Sequence, residues 1–134
     1  ESEKKHILTS YLENADNLEY GTEGGNDTED KVFALSLQEA IKYFGIEMTY
    51  SSVWASATPE LSAAKVTAYA EEQGAYVSEY ESTAGNGWWW LRSPGDNYST
   101  AAYVVNGGGV RVDGSRVDLD RNAARPALWL NLNP

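Results

Sequence analysis

Apolar residues change their spacing near Ala75, and the change divides the chain into a helical part and a β part. Residues 3–13 place Ile7/Tyr11 and Leu8/Leu12 at i,i+4, the spacing of one helix face. Residues 14–30 are polar and contain Gly21, Gly24 and Gly25, which predicts an irregular loop. Lys31 to Ser36 predicts a short strand with Phe33 and Leu35 on one face. Ser36 and Glu39 then form a capping box that opens a helix. Leu37, Ala40, Ile41 and Phe44 give that helix an apolar stripe, and Gly45 suits its C-terminal cap. Residues 46–57 fit no single element. Thr58-Pro59 starts a helical stretch, with proline at the first turn, that breaks and restarts at Thr67 and runs to Gly74.

Beyond Ala75 the period is two. Tyr76-Val77, Trp88–Arg92, Ala101–Val105, Val110–Val112, Arg116–Leu119 and Ala127–Asn131 are predicted strands. Asp113-Gly114 predicts a two-residue hairpin turn, and Asn106 to Gly109 a looser one. Helices first and short antiparallel strands afterwards define an α+β class. The 134 residues suit one domain, with no internal repeat of 20–50 residues.

Charge sharpens the division. Residues 1–83 hold 16 Asp and Glu against five Lys, a net of −11; residues 84–134 hold four Asp against five Arg, a net of +1. The acidic part repels phosphate backbones and anionic membranes, so neither nucleic acid nor membrane is an expected partner. No apolar run approaches the ~20 residues of a membrane span, and no signal peptide is visible. The chain starts at Glu1, so it is expected to be a trimmed piece of a longer product. With no cysteine there is no disulfide frame, thiolate metal site or cysteine nucleophile.

Composition also singles out Gly95 to Ala124. These thirty residues contain no Lys, Glu, Gln, Met or Trp and are built from Asp, Asn, Tyr, Ser, Thr, Gly, Arg, Ala, Val and one Leu. That is the vocabulary of recognition loops. Gly87-Trp88-Trp89-Trp90-Leu91-Arg92-Ser93-Pro94 precedes the segment and Arg125-Pro126-Ala127-Leu128-Trp129-Leu130 follows it. Strand alternation sends Trp88 and Trp90 to one face and Trp89 to the other, as in a core strand covered on both sides. Arg92 and Arg125 are expected to tie loops down through carbonyls or a carboxylate, using the planar guanidinium fork. His6, the sole histidine, is expected at the surface; no Gly-x-Ser-x-Gly elbow accompanies it, and no enzyme is expected.

The predicted contact set is Asp96, Asn97, Tyr98, Ser99, Tyr103, Asn106, Arg111, Asp113, Ser115, Arg116, Asp118, Asp120, Arg121 and Asn122. Tyrosines supply amphipathic area, arginines bidentate pairing, and Asn and Ser adaptable hydrogen bonds. An alternative makes Asp113, Asp118 and Asp120 calcium ligands of a calcium- or carbohydrate-binding cell-envelope module. No cofactor is expected, and the expected partner is a protein or surface ligand.

Gly87–Gly95 with Arg125–Leu132, preceded by Asp30–Leu37 and by Thr67-Ala68-Tyr69-Ala70 before Gly74, resembles a bacterial domain of unknown function. Its members carry Trp-Trp-Leu-Arg-Ser-Pro-Gly and Arg-Pro-Ala-Leu runs; the Gly-Val usual before the second is Ala123-Ala124 here. Members usually have an additional N-terminal segment. The resemblance implies a C-type-lectin-like fold related to the formylglycine-generating enzymes. It also implies, for some members, a role as the variable protein of a diversity-generating retroelement, displayed at the cell surface or outside the cell. In those systems adenines of a template are randomised, and mutated AAY codons cannot yield Lys, Glu, Gln, Met or Trp, the residues missing from Gly95–Ala124. Formylglycine-generating chemistry uses cysteines, and calcium-dependent sugar lectins use Glu-Pro-Asn or Gln-Pro-Asp with Trp-Asn-Asp; this chain has none of these.

Overall fold

A computed structural model describes residues 6–47, 54–55 and 59–133. The chain forms a small mixed α/β domain with two sheets rich in antiparallel strands and few helices. The smaller sheet pairs β1 (Ser10–Leu12) with β2 (Thr28–Asp30). The larger sheet contains β3 (Trp54–Ala55), β4 (Trp88–Pro94), β5 (Thr100–Val104), β6 (Val110–Arg116) and β7 (Asn122–Ala123), in the order β3-β6-β5-β4-β7. Only β4 and β7 run parallel within it. Helices α1 (Leu37–Phe44), α2 (Pro59–Ser62) and α3 (Ala68–Glu72) complete the domain.

Helix α1 forms where its local chemistry directs it. Ser36 accepts from the Glu39 N–H at 3.0 Å, the Glu39 carboxylate accepts from the Ser36 N–H at 2.8 Å, and Gly45 closes the other end in the left-handed region. Leu37 and Ala40, with Ile46 beyond the cap, pack on one face of the larger sheet. They meet Trp89 and Leu91 of β4, Ala102 and Val104 of β5, and Val110 and Val112 of β6. Phe44 meets the Trp89 ring edge-on at 6.0 Å. This is the core, and the alternation along β4 builds it: Trp89, Leu91 and Ser93 are buried, while Trp88, Trp90, Arg92 and Pro94 are half-buried on the other face.

Several predicted elements differ. From Ile7 onward the described part of residues 3–13 is not helical: Leu8 donates to the Trp129 carbonyl, Asn131 to the His6 carbonyl, and Ser10 to Leu12 pair with β2. Tyr11 and Leu8 are exposed, so the i,i+4 pairs form no buried stripe, and backbone partners far along the chain override the local preference. Lys31 to Ser36 contracts to one bridge, Phe33 to Ala127. Ala127–Asn131 likewise holds only isolated bridges, and Tyr76-Val77 only a single bond from the Tyr76 N–H to the Arg121 carbonyl. Asp113-Gly114 is not a hairpin turn. It lies inside β6, where Gly114 takes φ +84° in a bulge, and Arg116–Leu119 then turns instead of returning as a strand. Thr67 does cap a restarted helix, accepting from the Ala70 N–H at 3.2 Å. Of the unassigned 46–57 stretch, Trp54–Ala55 is an edge strand, and residues 48–53 and 56–58 lie outside the described residues.

Candidate ligand-binding surface

The frame of the surface is keyed to β4. Arg92 uses every N–H of its guanidinium: Nε to Asn14 Oδ1 at 3.1 Å, Nη1 to the Ala34 carbonyl at 2.9 Å and to Glu39 Oε2 at 2.5 Å, and Nη2 to the Glu13 carbonyl at 3.1 Å and to Glu39 Oε1 at 3.2 Å. Burial pushes the Glu39 carboxyl up, but the hydrogen bonds from Arg92 and Ser36 outweigh it and hold the group below its ordinary value. Ser93 accepts from the Leu37 N–H at 2.8 Å. Arg125 anchors the second motif: it donates to the Ser62 carbonyl at 3.0 Å and lies 4.8 Å from the Trp89 ring centroid and 5.3 Å from that of Phe44. Burial lowers its pKa.

Next to the frame, β5 carries a double irregularity. Ala102, flanked by the paired Ala101 and Tyr103, stands opposite Leu91, Arg92 and Ser93 of β4 and opposite Val112, Asp113 and Gly114 of β6. Gly95 and Gly114 sit at this crowded place. A Cβ on Gly95 would meet the Asp113 carbonyl oxygen at 2.4 Å, and one on Gly114 the Ala101 carbonyl oxygen at 2.5 Å. The bulges swing residues 96–99 beside the end of β6: the Asp96 N–H donates to the Asp113 carbonyl at 2.8 Å and the Val117 N–H to the Ser99 carbonyl at 3.0 Å.

The predicted contact residues divide into three groups. Asp96, Asn97, Tyr98, Ser99, Arg116, Asp118, Asp120 and Arg121 are exposed, Tyr98 at 81%. The first four belong to one turn and the last four to the segment it adjoins. Within the turn, Asn97 Oδ1 accepts from the Ser99 N–H at 2.8 Å, and Asp96 Oδ1 from the Thr100 hydroxyl at 2.9 Å. Arg116 pairs with Asp118 at 2.5 and 3.1 Å. Asn106, Arg111, Asp113 and Ser115 are half-buried. Arg111 grips Asp113 bidentately, with Nε to Oδ1 at 2.8 Å, and this bonding raises the Arg111 pKa. Asn106 is a connector: it accepts from Trp88 Nε1 at 3.1 Å and donates to Ser78 and Thr83.

Tyr103 and Asn122 form the third group, and both are interior. Tyr103, 9% exposed, packs with Trp88 and Trp90 on the outer sheet face, with ring centroids 5.8 and 6.3 Å away, and burial raises its pKa. Asn122 is 8% exposed, and neither its Oδ1 nor its Nδ2 has a hydrogen-bond partner. The calcium set is not assembled. Asp113 and Asp118 are held by arginines, and among the described residues no three His, Asp or Glu lie close enough to hold a metal ion.

Three features escaped the sequence reading. Asn17, 2% exposed, donates to the carbonyls of Pro94, Gly95 and Val112 at 2.9, 3.1 and 3.0 Å, tying the early loop under the bulges. Tyr76 stacks on Trp88 with ring centroids 4.3 Å apart. Val117 and Leu119, expected in a strand, are exposed among the contact residues. Their alternation with Asp118 and Asp120 is the same for a half-buried strand and for an exposed turn, so the pattern offered no means of telling them apart.

A family model described as a domain of unknown function (DUF6273) matches residues 1–132. The chain belongs to DUF6273. No curated protein and no solved structure matches it. In this DUF6273 chain the Trp-Trp-Leu-Arg-Ser-Pro-Gly run is a structural motif. Trp89 and Leu91 fill the core, Arg92 and Ser93 fasten α1 and two loops, Pro94 receives Asn17, and Gly95 admits no side chain. Among the described residues no helix is long and apolar enough to cross a membrane.

Proposed function

We propose that this chain is a non-enzymatic ligand-binding module of C-type-lectin-like architecture that presents a diversified surface, as the variable proteins of diversity-generating retroelements do. One observation carries the reading. The exposed residues Asp96–Ser99 and Arg116–Arg121 adjoin one another and bond chiefly among themselves, while the core is built by residues outside them. Their side chains can therefore change without touching the core, the condition that a diversified surface must meet. The absence of Lys, Glu, Gln, Met and Trp between Gly95 and Ala124 accords with randomised adenines. The ligand is a protein or a surface structure. Eight exposed contact residues fall below the ~20–30 per side of a standard interface, so binding is modest in affinity or strengthened by multivalent display.

Deep sequencing of this coding region across a growing population of the source organism tests the reading. The expectation is substitution at adenine positions in codons for residues 96–121, with those for Trp88–Arg92 constant. Uniform codons throughout, or changes spread equally over both stretches, would remove it.

A further inference from the structure

The segment from Ala127 to Leu132 is bonded along one edge and open along the other. Ala127 and Phe33 exchange both backbone bonds, at 2.7 and 3.0 Å. The Trp129 carbonyl accepts from the Leu8 N–H at 2.9 Å, and the Asn131 N–H donates to the His6 carbonyl at 2.7 Å. In extended backbone, alternate residues direct their N–H and C=O groups to the same edge, so all these bonds lie on one side. The other side belongs to Leu128, Leu130 and Leu132, whose N–H and C=O groups bond to no described residue. All three leucines are exposed. Such an edge is a template for another strand, and folded proteins usually guard it with charged side chains. Residues 126–133 carry no charge at all.

We propose that this edge pairs with the same edge of a second copy of the chain, antiparallel about a two-fold axis at Leu130. Two properties select a second copy over a foreign strand. The first is that Leu128-Trp129-Leu130-Asn131-Leu132 reads the same in both directions at its outward positions. Antiparallel pairing sets Leu130 against Leu130 of the partner subunit and Leu128 against Leu132 of the partner subunit. Each open N–H then meets a carbonyl, and leucine meets leucine along one face, as a self-complementary interface requires. The second property is charge. At a net −10, two copies repel each other over most of their surface, and this uncharged run lets them approach without opposing carboxylates. Five paired residues a side fall far below the ~20–30 of a standard interface, so the dimer is reversible, with a Kd of roughly 0.1 mM. The pairing does not rest on the binding reading above, although it would carry two copies of that surface on one particle.

Sedimentation equilibrium and amide hydrogen exchange by NMR, on the whole chain from about 50 μM to about 1 mM, test the proposal. The expected result is an equilibrium that stops at two copies and tightens as salt screens their repulsion. Exchange at the Leu128, Leu130 and Leu132 amides should slow about threefold across that range, while the already bonded Leu8 and Asn131 amides change little. Leu130→Lys sets two ammonium groups against each other at the axis and should weaken the dimer about tenfold or more. The exchange result comes from the parent chain and decides the matter even where that variant does not fold. Any of four results overturns the proposal. They are a monomer at every concentration, assembly that continues past two copies, a dimer whose three leucine amides exchange as fast as in the monomer, and a folded Leu130→Lys chain that dimerises like the parent.

Discussion

Arg92 and Glu39 show how one residue pair can hold several segments. The Glu39 carboxylate takes two guanidinium nitrogens and the Ser36 N–H, so it caps α1 and anchors β4 together. Glu39→Gln leaves a mostly buried guanidinium short of its counter-charge. A loss of about 1–3 kcal/mol is expected, reduced from the fully buried case because solvent reaches both groups. The pH dependence follows in sign. A carboxyl held below its ordinary value contributes stability above the ordinary carboxylate range, and that contribution is lost as pH falls through the folded-state value. Urea unfolding at neutral pH and at about pH 3 should therefore show a smaller acid loss for Glu39→Gln than for the parent. Asn17→Ala removes the donors of three carbonyls in the interior and should cost about 2–3 kcal/mol by the same measurement. A cost under about 0.5 kcal/mol, the range of a surface change, would contradict its role.

At the scale of elements, the paired bulges at Ala102 decide where the surface lies. Gly114 holds a left-handed backbone with the Ala101 carbonyl oxygen where a Cβ would be. Gly114→Ala should destabilise by about 2–4 kcal/mol and broaden the amide resonances of residues 96–99, which hang on the same bonds. Thermal unfolding at the parent temperature would show the bulge dispensable. The same place marks what the sequence could reveal. Helix α1 was legible because its cap, stripe and terminator are neighbours in the chain, and β4 because alternation survives in a strand covered on both sides. Asp113-Gly114 was misread as a hairpin turn because a bulge uses the same positive-φ glycine, and the choice between them rests on the pairing of Ser115 with Ala101. The first strand and the residues before it were misread because their partners, Thr28 to Asp30 for the strand and Trp129 for Leu8, lie in no local pattern. Asn17 was missed for the same reason, since its acceptors lie 77, 78 and 95 positions away. Of the contact residues chosen by side-chain chemistry, Tyr98 and Arg116 are exposed, but that choice could not show that Tyr103 fills the space beside Trp88 and Trp90.

The whole molecule separates what folds from what faces outward. The core joins α1 to alternate residues of β4, β5 and β6, and both sequence motifs serve that union. The exposed turn and the end of β6 ride on it, in the near-neutral part of a chain whose net charge is −10. A partner approaching there meets less long-range repulsion than over the acidic part. The separation is tested most directly by the thermal unfolding of one variant in which Tyr98, Arg116, Asp118 and Arg121 are all alanine. Surface changes of this kind cost at most about 0.5 kcal/mol each, so one cooperative transition within roughly 8 °C of the parent is expected. A loss of cooperativity, or a fall well beyond that interval, would show that these side chains hold the fold and contradict the account.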